Sequence, residues 1–314
     1  MRLIRIRRLL VLSMLLLEIL GDRSRAEGAE GPVAQISESE KWPQKVVVTV
    51  GDIRTRIDGP KMWTLSGIEF QDTVMATEDS AYGSVLTIRN VGHLGTAHFL
   101  DVPGKPGQVE KEQVTSLQLF VDDKPVRDFT PTMNLGGKSF HMARKSKIRA
   151  LDLETSVSIH DGVLIETASF HATGPIDLRV AYPWMYALAP EATVYVFGNK
   201  DDIQQRGTFL SEGKVVSRVV QNANWMAVFN PSRGKGSVCC FLKHPPTDEA
   251  SFLLIDAPGI YRKVAAYNLV DKIVPKGFDG TYQSAVGFFN ATERDWEEHA
   301  RRRAAEIQAS ETKR

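Results

Sequence analysis

The stretch Leu153-Glu-Thr-Ser-Val-Ser-Ile-His-Asp161-Gly162-Val-Leu-Ile-Glu-Thr-Ala-Ser-Phe-His171 predicts a β-hairpin. Two runs rich in β-formers flank Asp161-Gly162, which suits a two-residue type I′ turn because both central residues of that turn need positive φ. The turn sets the pairing: Ile159 faces Leu164, Val157 faces Glu166, and Leu153 faces Phe170. Glu166 then lies among apolar neighbours, where a carboxylate has a raised pKa or a partner. One bulged residue would reverse the register and return Glu166 to solvent, so both placements stay open.

Short β-rich runs of the same kind continue along most of the chain, with turn signals such as Asp58-Gly59-Pro60 and Asn230-Pro231 between them. No long helical period separates these runs, which argues against a parallel βαβ architecture. We therefore predict an all-β fold, a large and mostly antiparallel β-sandwich. The other candidate strands are Val46–Val50, Trp63–Phe70, Ser84–Arg89, Val114–Val121, Ile176–Tyr182, Thr193–Phe197, Val215–Val220, Trp225–Phe229, Ser237–Leu242 and Thr281–Phe289.

The end of the chain departs from the β pattern. Thr292-Glu-Arg-Asp295 matches a capping box, and an apolar series follows it at helical spacing. The series consists of Trp296, Ala300, Ala304 and Ile307. It predicts a short C-terminal helix with one apolar side.

The first residues have the layout of a secretory signal peptide. Four arginines precede an apolar run from Leu9 to Leu20, and Ser24-Arg25-Ala26 resembles a cleavage site. The run is shorter than the roughly 20 residues that a spanning helix needs, so we expect cleavage and a secreted or periplasmic protein with no stable membrane span. Retention of the leader as an anchor is the alternative.

These features predict four regions: a signal peptide (1–26), a flexible mature N-terminus (27–44), a β-sandwich domain (45–290), and a C-terminal helix and tail (291–314). The leader holds six arginines and two acidic residues, so 33 basic and 36 acidic residues remain and the net charge of the remainder is near −3. A slightly acidic protein argues against nucleic acid as a partner.

The two cysteines are neighbours, Cys239 and Cys240, in an apolar run. Adjacent side chains on a strand point to opposite faces, so these two should not bond to each other there. We expect both to be small buried residues.

A segment from Tyr82 to Leu100 combines a strand with glycines and histidines. It opens with β-formers and breaks at Gly92 and Gly95, and it carries His93 and His98. Imidazole titrates near neutral pH, so the histidines are candidate acid–base groups. As a metal pair they are a weak signal, and we predict no metal and no cofactor.

The segment Arg179-Val-Ala-Tyr-Pro-Trp-Met-Tyr186 is the second candidate site. In an extended chain Tyr182, Trp184 and Tyr186 share parity and would form a row of rings on which a sugar could stack. The alternative is an aromatic corner that closes the sandwich, with the tyrosine hydroxyls hydrogen-bonded to the main chain.

The familiar catalytic signatures are missing: there is no His-Glu-x-x-His, no Gly-x-Ser-x-Gly and no glycine-rich phosphate loop. Several other motifs nevertheless follow one another along the chain: Gly92-x-x-Gly-Thr-x-His98, Leu119-Phe-Val-Asp-Asp-Lys-Pro-Val126, Tyr182-Pro-Trp-Met-Tyr186, and Trp225-x-Ala-Val-Phe-Asn-Pro231 with Gly234-Lys-Gly236. Their order resembles that of secreted bacterial proteins with the galactose-mutarotase-like supersandwich fold, which are associated with polysaccharide breakdown. The resemblance covers roughly residues 45–290.

This resemblance implies large antiparallel sheets and a carbohydrate partner, either bound or acted upon. The paired His and Glu of the epimerases find no residue-by-residue match here. A polysaccharide lyase is one expectation, since elimination from an acidic polysaccharide needs a base, an acid and a group that neutralises the carboxylate. A non-catalytic carbohydrate-binding or structural sandwich is the other. The acid–base candidates are His98, His93, Tyr82, His171 and Glu166; the binding candidates are Tyr182, Trp184, Tyr186, Arg179 and Arg144.

Overall fold

The computed structural model describes residues 42–77, 85–90, 92–94, 112–200, 202–245 and 251–312, all within one compact unit, Glu38–Arg314. Within these ranges the chain forms strands almost throughout and ends in one α-helix, α1 (Trp296–Thr312). In chain order the strands are β1 (Lys45–Val50), β2 (Ile53–Asp58), β3 (Thr64–Phe70), β4 (Thr73–Ala76), β5 (Val85–Ile88), β6 (Gly92–Leu94), β7 (Gln113–Val121), β8 (Lys124–Pro125), β9 (Thr132–Gly137), β10 (Phe140–Ile148), β11 (Leu151–His160), β12 (Val163–Ala172), β13 (Ile176–Tyr182), β14 (Met185–Leu188), β15 (Val194–Gly198), β16 (Ile203–Thr208), β17 (Val216–Gln221), β18 (Trp225–Asn230), β19 (Lys235–Lys243), β20 (Ser251–Ala257), β21 (Tyr261–Ala266), β22 (Lys272–Val274) and β23 (Asp279–Asn290).

The strands of the described residues make three sheets. A nine-stranded sheet has the order β17-β20-β21-β14-β4-β3-β2-β1-β9, and a ten-stranded sheet has the order β16-β15-β18-β19-β23-β12-β11-β10-β7-β8. The third, a four-stranded sheet, has the order β22-β13-β5-β6. The described strand pairs are antiparallel except β1 and β9, which run parallel. The predicted large antiparallel sandwich with a short C-terminal helix is confirmed.

The buried apolar residues that the structure describes form three hydrophobic cores. The largest core lies between the nine- and ten-stranded sheets and contains alternate residues of each strand, such as Val46 and Val48 of β1 and Val157 and Ile159 of β11. The four-stranded sheet covers the remaining end of the ten-stranded sheet with a second core. Helix α1 covers part of the outer face of the ten-stranded sheet.

The hairpin of β11 and β12 has the predicted register. Asp161 and Gly162 have φ values of 52° and 70°, as a type I′ turn requires. The pairs Ile159–Leu164, Val157–Glu166 and Leu153–Phe170 all occur. No bulge is inserted in this hairpin, so Glu166 faces the inside of the sandwich with Leu164 and Ala168.

Helix α1 also agrees with its sequence. The Asp295 carboxylate accepts a hydrogen bond of 2.7 Å from the Thr292 main-chain N–H, as the capping motif predicts. Trp296, Ala300, Ala304 and Ile307 are the buried residues that pack on the sheet. The cysteines behave as expected, since both are free and buried, with Cys239 in the main core and Cys240 beneath the helix.

Several strands were not predicted, among them β10, β20 and β21. Strand β10 reads Phe-His-Met-Ala-Arg-Lys-Ser-Lys-Ile, and its four basic or imidazole side chains hide the alternation of apolar residues. The core side of β10 itself carries a charge, because Arg144 shares the buried face of the strand with Phe140 and Met142, whereas arginine is usually exposed.

Candidate functional site

Glu166 lies between the two large sheets, where few solvent molecules can stabilise its charge. It is part-buried on the inner face of β12, and burial raises the pKa of its carboxyl from 4.5 to about 7. The hydrogen bond from Tyr186 and the charge of Arg144 act in the opposite direction and limit the rise. A carboxyl that titrates near neutral pH is a usable acid–base group.

Tyr186 reaches Glu166 from the opposite sheet. It lies on β14, where it pairs with Val264, and its hydroxyl donates a hydrogen bond of 2.6 Å to Glu166 Oε1. Burial and the neighbouring carboxylate raise the pKa of the Tyr186 hydroxyl well above its usual value, so it remains a proton donor. The two residues form a cross-sheet acid–hydroxyl pair.

Arg144 places a buried positive charge beside this pair. Its Nη1 lies 3.3 Å from Glu112 Oε2, and the two side chains are only 1% and 2% exposed. Arg144 also donates to Thr155 Oγ1 at 2.9 Å and to the main-chain oxygen of Met62. Ser146 donates to Glu112 at 3.0 Å, while burial raises the pKa of Glu112 despite the arginine. We call Glu112, Arg144, Glu166 and Tyr186 the core acid cluster.

The chain changes sheet within the aromatic segment. Tyr182 ends β13 in the four-stranded sheet, and β14 begins at Met185 in the nine-stranded sheet. Trp184 is 1% exposed and packs in the main core against Tyr186, Phe241 and Phe252. Trp184 and Tyr186 therefore form an aromatic corner that closes the sandwich.

Tyr182 has different neighbours. Its ring stacks on Tyr267 with a centroid distance of 6.1 Å, and burial raises the pKa of its hydroxyl, opposed by the charge of Arg179. Close by in the chain, the Lys263 ammonium lies 4.0 Å from the centroid of the Tyr261 ring. The predicted row of three rings therefore does not form: Tyr182 packs against Tyr267, whereas Trp184 and Tyr186 lie in the main core.

The histidine candidates are separated from the core acid cluster or lie outside the described residues. His171 is on β12 but five residues from Glu166, so it faces the outside, where its Nδ1 lies 2.7 Å from Asp279 Oδ1. His93 belongs to β6, which pairs with β5 beside β13. Tyr82 and His98 are outside the described residues.

A groove of about 270 Å³ crosses the outer face of the nine-stranded sheet over β1–β4. Because Val46 and Val48 point into the core, Lys45 and Val47 of β1 point outward into the groove. The polar lining of this basic groove consists of Lys45, Arg54, Thr55, Arg56, Ser66 and Glu69. Its volume is more than ten times that of the cavity lined by Thr155, Glu166 and Trp184 between the two large sheets.

Among the described residues that line the basic groove, Lys45 is a cation without an ion pair. Arg54 forms a two-pronged ion pair with Glu69 at 3.0 and 3.1 Å, and Arg56 pairs with Asp58 at 2.9 Å. Lys45 is exposed and forms no ion pair with the residues that the structure describes. The groove therefore offers an anion the ammonium of Lys45 and the guanidinium groups of Arg54 and Arg56, which their ion pairs hold in position.

The groove residues were missed in the sequence. The signal was present in Arg54-Thr-Arg56, since a period of two puts both arginines on one face of a strand. Glu112 was missed too, and no local pattern marks it, because its partner Arg144 is 32 positions away.

The described part of the chain contains neither a cluster of metal-ligating side chains nor a membrane-spanning helix. No set of three or more His, Cys, Asp or Glu side chains there is placed to hold a metal ion. Nor does this part contain a helix with the length and apolar character needed to cross a bilayer.

Comparisons with known proteins concern the fold. No protein-family model matches the chain, and no curated protein sequence matches it. Among solved structures, the chain is similar to a galactose mutarotase-related enzyme from Lactobacillus acidophilus, with 9% identity and a TM-score of 0.45 over 79% of this chain and 98% of that one. It is also similar to the Slr1438 protein from Synechocystis (8%, TM-score 0.47, 82% of this chain and 100% of that one).

A third similar structure is a family GH36 α-galactosidase from Geobacillus stearothermophilus, with 8% identity and a TM-score of 0.48. The match covers 79% of this chain and 41% of the galactosidase. The similarities agree with the galactose-mutarotase-like resemblance seen in the sequence. At these identities, and with TM-scores below 0.5, they carry no argument about this chain, so its function has to be argued from its own residues.

Proposed function

We propose that this protein binds an acidic polysaccharide outside the cytoplasm, through the basic groove, without transforming it. The observation that carries the proposal is the groove itself, with Lys45, Arg54 and Arg56 on one outward face of a sheet. Its volume of about 270 Å³ is near the lower end of small-molecule pockets, roughly 300–1,000 Å³, and fits a sugar unit of a longer chain.

The charges of the groove suit a uronic acid or another anionic sugar. A guanidinium binds a carboxylate with two parallel hydrogen bonds, and Arg54 already does so with Glu69. The carboxylate of an anionic sugar can form an ion pair with Lys45 and compete with Glu69 for Arg54. The aliphatic groups of Val47 and Val74, which also line the groove, give the sugar ring an apolar surface.

Binding without catalysis fits the lining better than a lyase does. Elimination needs a base and an acid within hydrogen-bond reach of the substrate. Among the residues that the structure describes, the lining contains no His or Tyr, and its carboxylate, Glu69, is held by Arg54. The lyase alternative depends on Tyr82 and His98, and its test is turnover.

The experiment is calorimetric titration with uronic-acid oligosaccharides and with neutral oligosaccharides of equal length. We expect binding of the acidic series only, and about tenfold weaker binding for Lys45→Ala, the loss of one charge-assisted contact. Glu69→Gln should bind more tightly, since it frees Arg54. Lys147→Ala, on an exposed lysine of the ten-stranded sheet, is the matched control and should bind as the wild type does.

Equal affinity for both series, or an equal loss of affinity in Lys45→Ala and Lys147→Ala, would contradict binding in the basic groove.

A second experiment tests for turnover. The same oligosaccharides are incubated with the protein, and the unsaturated product of elimination is followed by ultraviolet absorbance. Product formation that His98→Ala abolishes would replace the binding proposal by the lyase.

A further inference from the structure

A small polar cavity lies between the two large sheets, next to the core acid cluster. Its walls come from β10, β11 and β12 on one side and from Trp63 and Trp184 on the other. The volume within which the centre of a water molecule can lie is about 20 Å³. Roughly 10–15 Å³ of such space is enough for one water, provided that polar partners surround it.

Two of the wall residues have unused hydrogen-bonding capacity. Glu166 Oε1 accepts the bond from Tyr186, whereas its Oε2 has no partner among the described residues. Thr155 Oγ1 accepts a bond from Arg144 Nε, which leaves its own O–H without an acceptor in the described part of the chain. A hydroxyl donor and a carboxylate acceptor therefore border the same cavity.

The strand register explains why these two groups do not bond directly. Val157 pairs with Glu166, so Thr155 is the diagonal neighbour of Glu166 on the same face. Diagonal residues of an antiparallel pair are roughly 7–8 Å apart, too far for the short threonine side chain to reach the carboxylate. A gap of this kind between polar groups is where a bridging water is found.

The opposite wall adds a third polar group. The indole N–H of Trp184 is buried and has no acceptor among the residues that the structure describes. Buried N–H groups are nearly always hydrogen-bonded to protein or water. Trp184 comes from the segment where the chain changes sheet, so a ligand shared with it would join the two halves of the sandwich.

We propose that this cavity binds one water molecule, which accepts the Thr155 O–H, donates to Glu166 Oε2 and lies within reach of the Trp184 N–H. The water gives Glu166 Oε2 and the Thr155 hydroxyl their missing hydrogen-bond partner and links β11 and β12 to the opposite layer. This site is independent of the basic groove and of any glycan.

The test is a high-resolution crystal structure of the wild type and of Thr155→Val, which keeps the shape of the side chain and removes the hydroxyl. We expect a density peak about 3 Å from Thr155 Oγ1 and Glu166 Oε2 in the wild type, and its loss in Thr155→Val. An empty wild-type cavity, or an unchanged peak in Thr155→Val, overturns the proposal.

A solution measurement covers the case in which the valine variant does not crystallise. Magnetic relaxation dispersion of water counts long-lived internal waters, and Thr155→Val should have one fewer than the wild type. Thr281→Val is the matched control, because its hydroxyl contacts Ser169 on the outer face of the same sheet. Equal counts in all three proteins would contradict the site.

Discussion

The Tyr186 hydroxyl donates a hydrogen bond of 2.6 Å to Glu166 Oε1, joining two residues on opposite sheets of the sandwich. Glu166 meets Tyr186 only because β12 and β14 belong to different sheets that face each other. The ionisation of Glu166 in this pair can be followed in solution, by unfolding at different pH values and by titration.

The first prediction concerns pH. Burial raises the pKa of Glu166 from 4.5 to about 7, so the folded protein binds this proton more tightly than the unfolded chain does. The stabilising contribution is complete below pH 4.5 and is lost as the pH rises through 7. The loss should be at most about 3 kcal/mol, from 1.36 kcal/mol for each pH unit between the two pKa values.

Urea unfolding at a series of pH values measures this effect. Glu166→Gln cannot ionise, so the free energy of unfolding of this variant should fall less over the same pH range. Glu112 titrates in the same direction in both proteins, and the difference between them isolates Glu166. Parallel curves for wild type and variant would show that Glu166 is not desolvated.

The second prediction concerns the hydroxyl of Tyr186. Tyr186→Phe removes the one hydrogen bond that Glu166 receives from the described residues. We expect a loss of roughly 1–3 kcal/mol in the free energy of unfolding, the cost of an unsatisfied buried group. The pKa of Glu166 should also rise, because the Tyr186 bond lowers it. A carboxyl titration by nuclear magnetic resonance would contradict the contact if that pKa did not change.

The third prediction compares two neighbouring residues of β10. Arg144 forms a buried ion pair with Glu112, whereas Lys145 forms an ion pair with Glu154 in which both side chains are 63% exposed. Arg144→Met leaves Glu112 buried and unpaired and should destabilise the protein by about 3–5 kcal/mol. Lys145→Met should cost about 0–1 kcal/mol.

A second variant separates the lost charge pair from lost packing. If the unpaired carboxylate is the cause, adding Glu112→Gln to Arg144→Met should restore much of the stability, as measured by chemical unfolding. Equal destabilisation by Arg144→Met and Lys145→Met would mean that the buried pair contributes no more than the exposed one.

Local parts of this fold could be predicted from the sequence. The Asp161-Gly162 turn fixes its own register, because the turn type and the two flanking strands are contiguous. From that register alone, Glu166 is placed among apolar residues. The capped helix at the end of the chain was predictable for the same reason, since its cap and its apolar side lie within 16 residues.

The site could be predicted only in part, because its contacts join distant strands. Nothing near Glu166 indicates that Tyr186 faces it, and nothing near Arg144 indicates Glu112. The aromatic segment was read as one extended run, but the chain changes sheet at Pro183, and this separates Tyr182 from Trp184 and Tyr186. Such a change depends on the pairing of β14 with β21 and β4, which are distant in the sequence, so it is a property of the assembled fold.

The last prediction tests how helix α1 is held on the ten-stranded sheet. Ala304 is 1% exposed in the core beneath the helix, while Ala305, the next residue, is exposed. Ala304→Glu would bury a carboxylate without a partner, and we expect it to release the helix or to destabilise the fold by several kcal/mol. Ala305→Glu adds the same side chain to the solvent side and should change stability by less than about 0.5 kcal/mol. Thermal unfolding gives the stabilities, and limited proteolysis at the C-terminal arginines shows whether the helix has left the sheet. If Ala304→Glu were as stable and as resistant as Ala305→Glu, the helix would not be packed through this face.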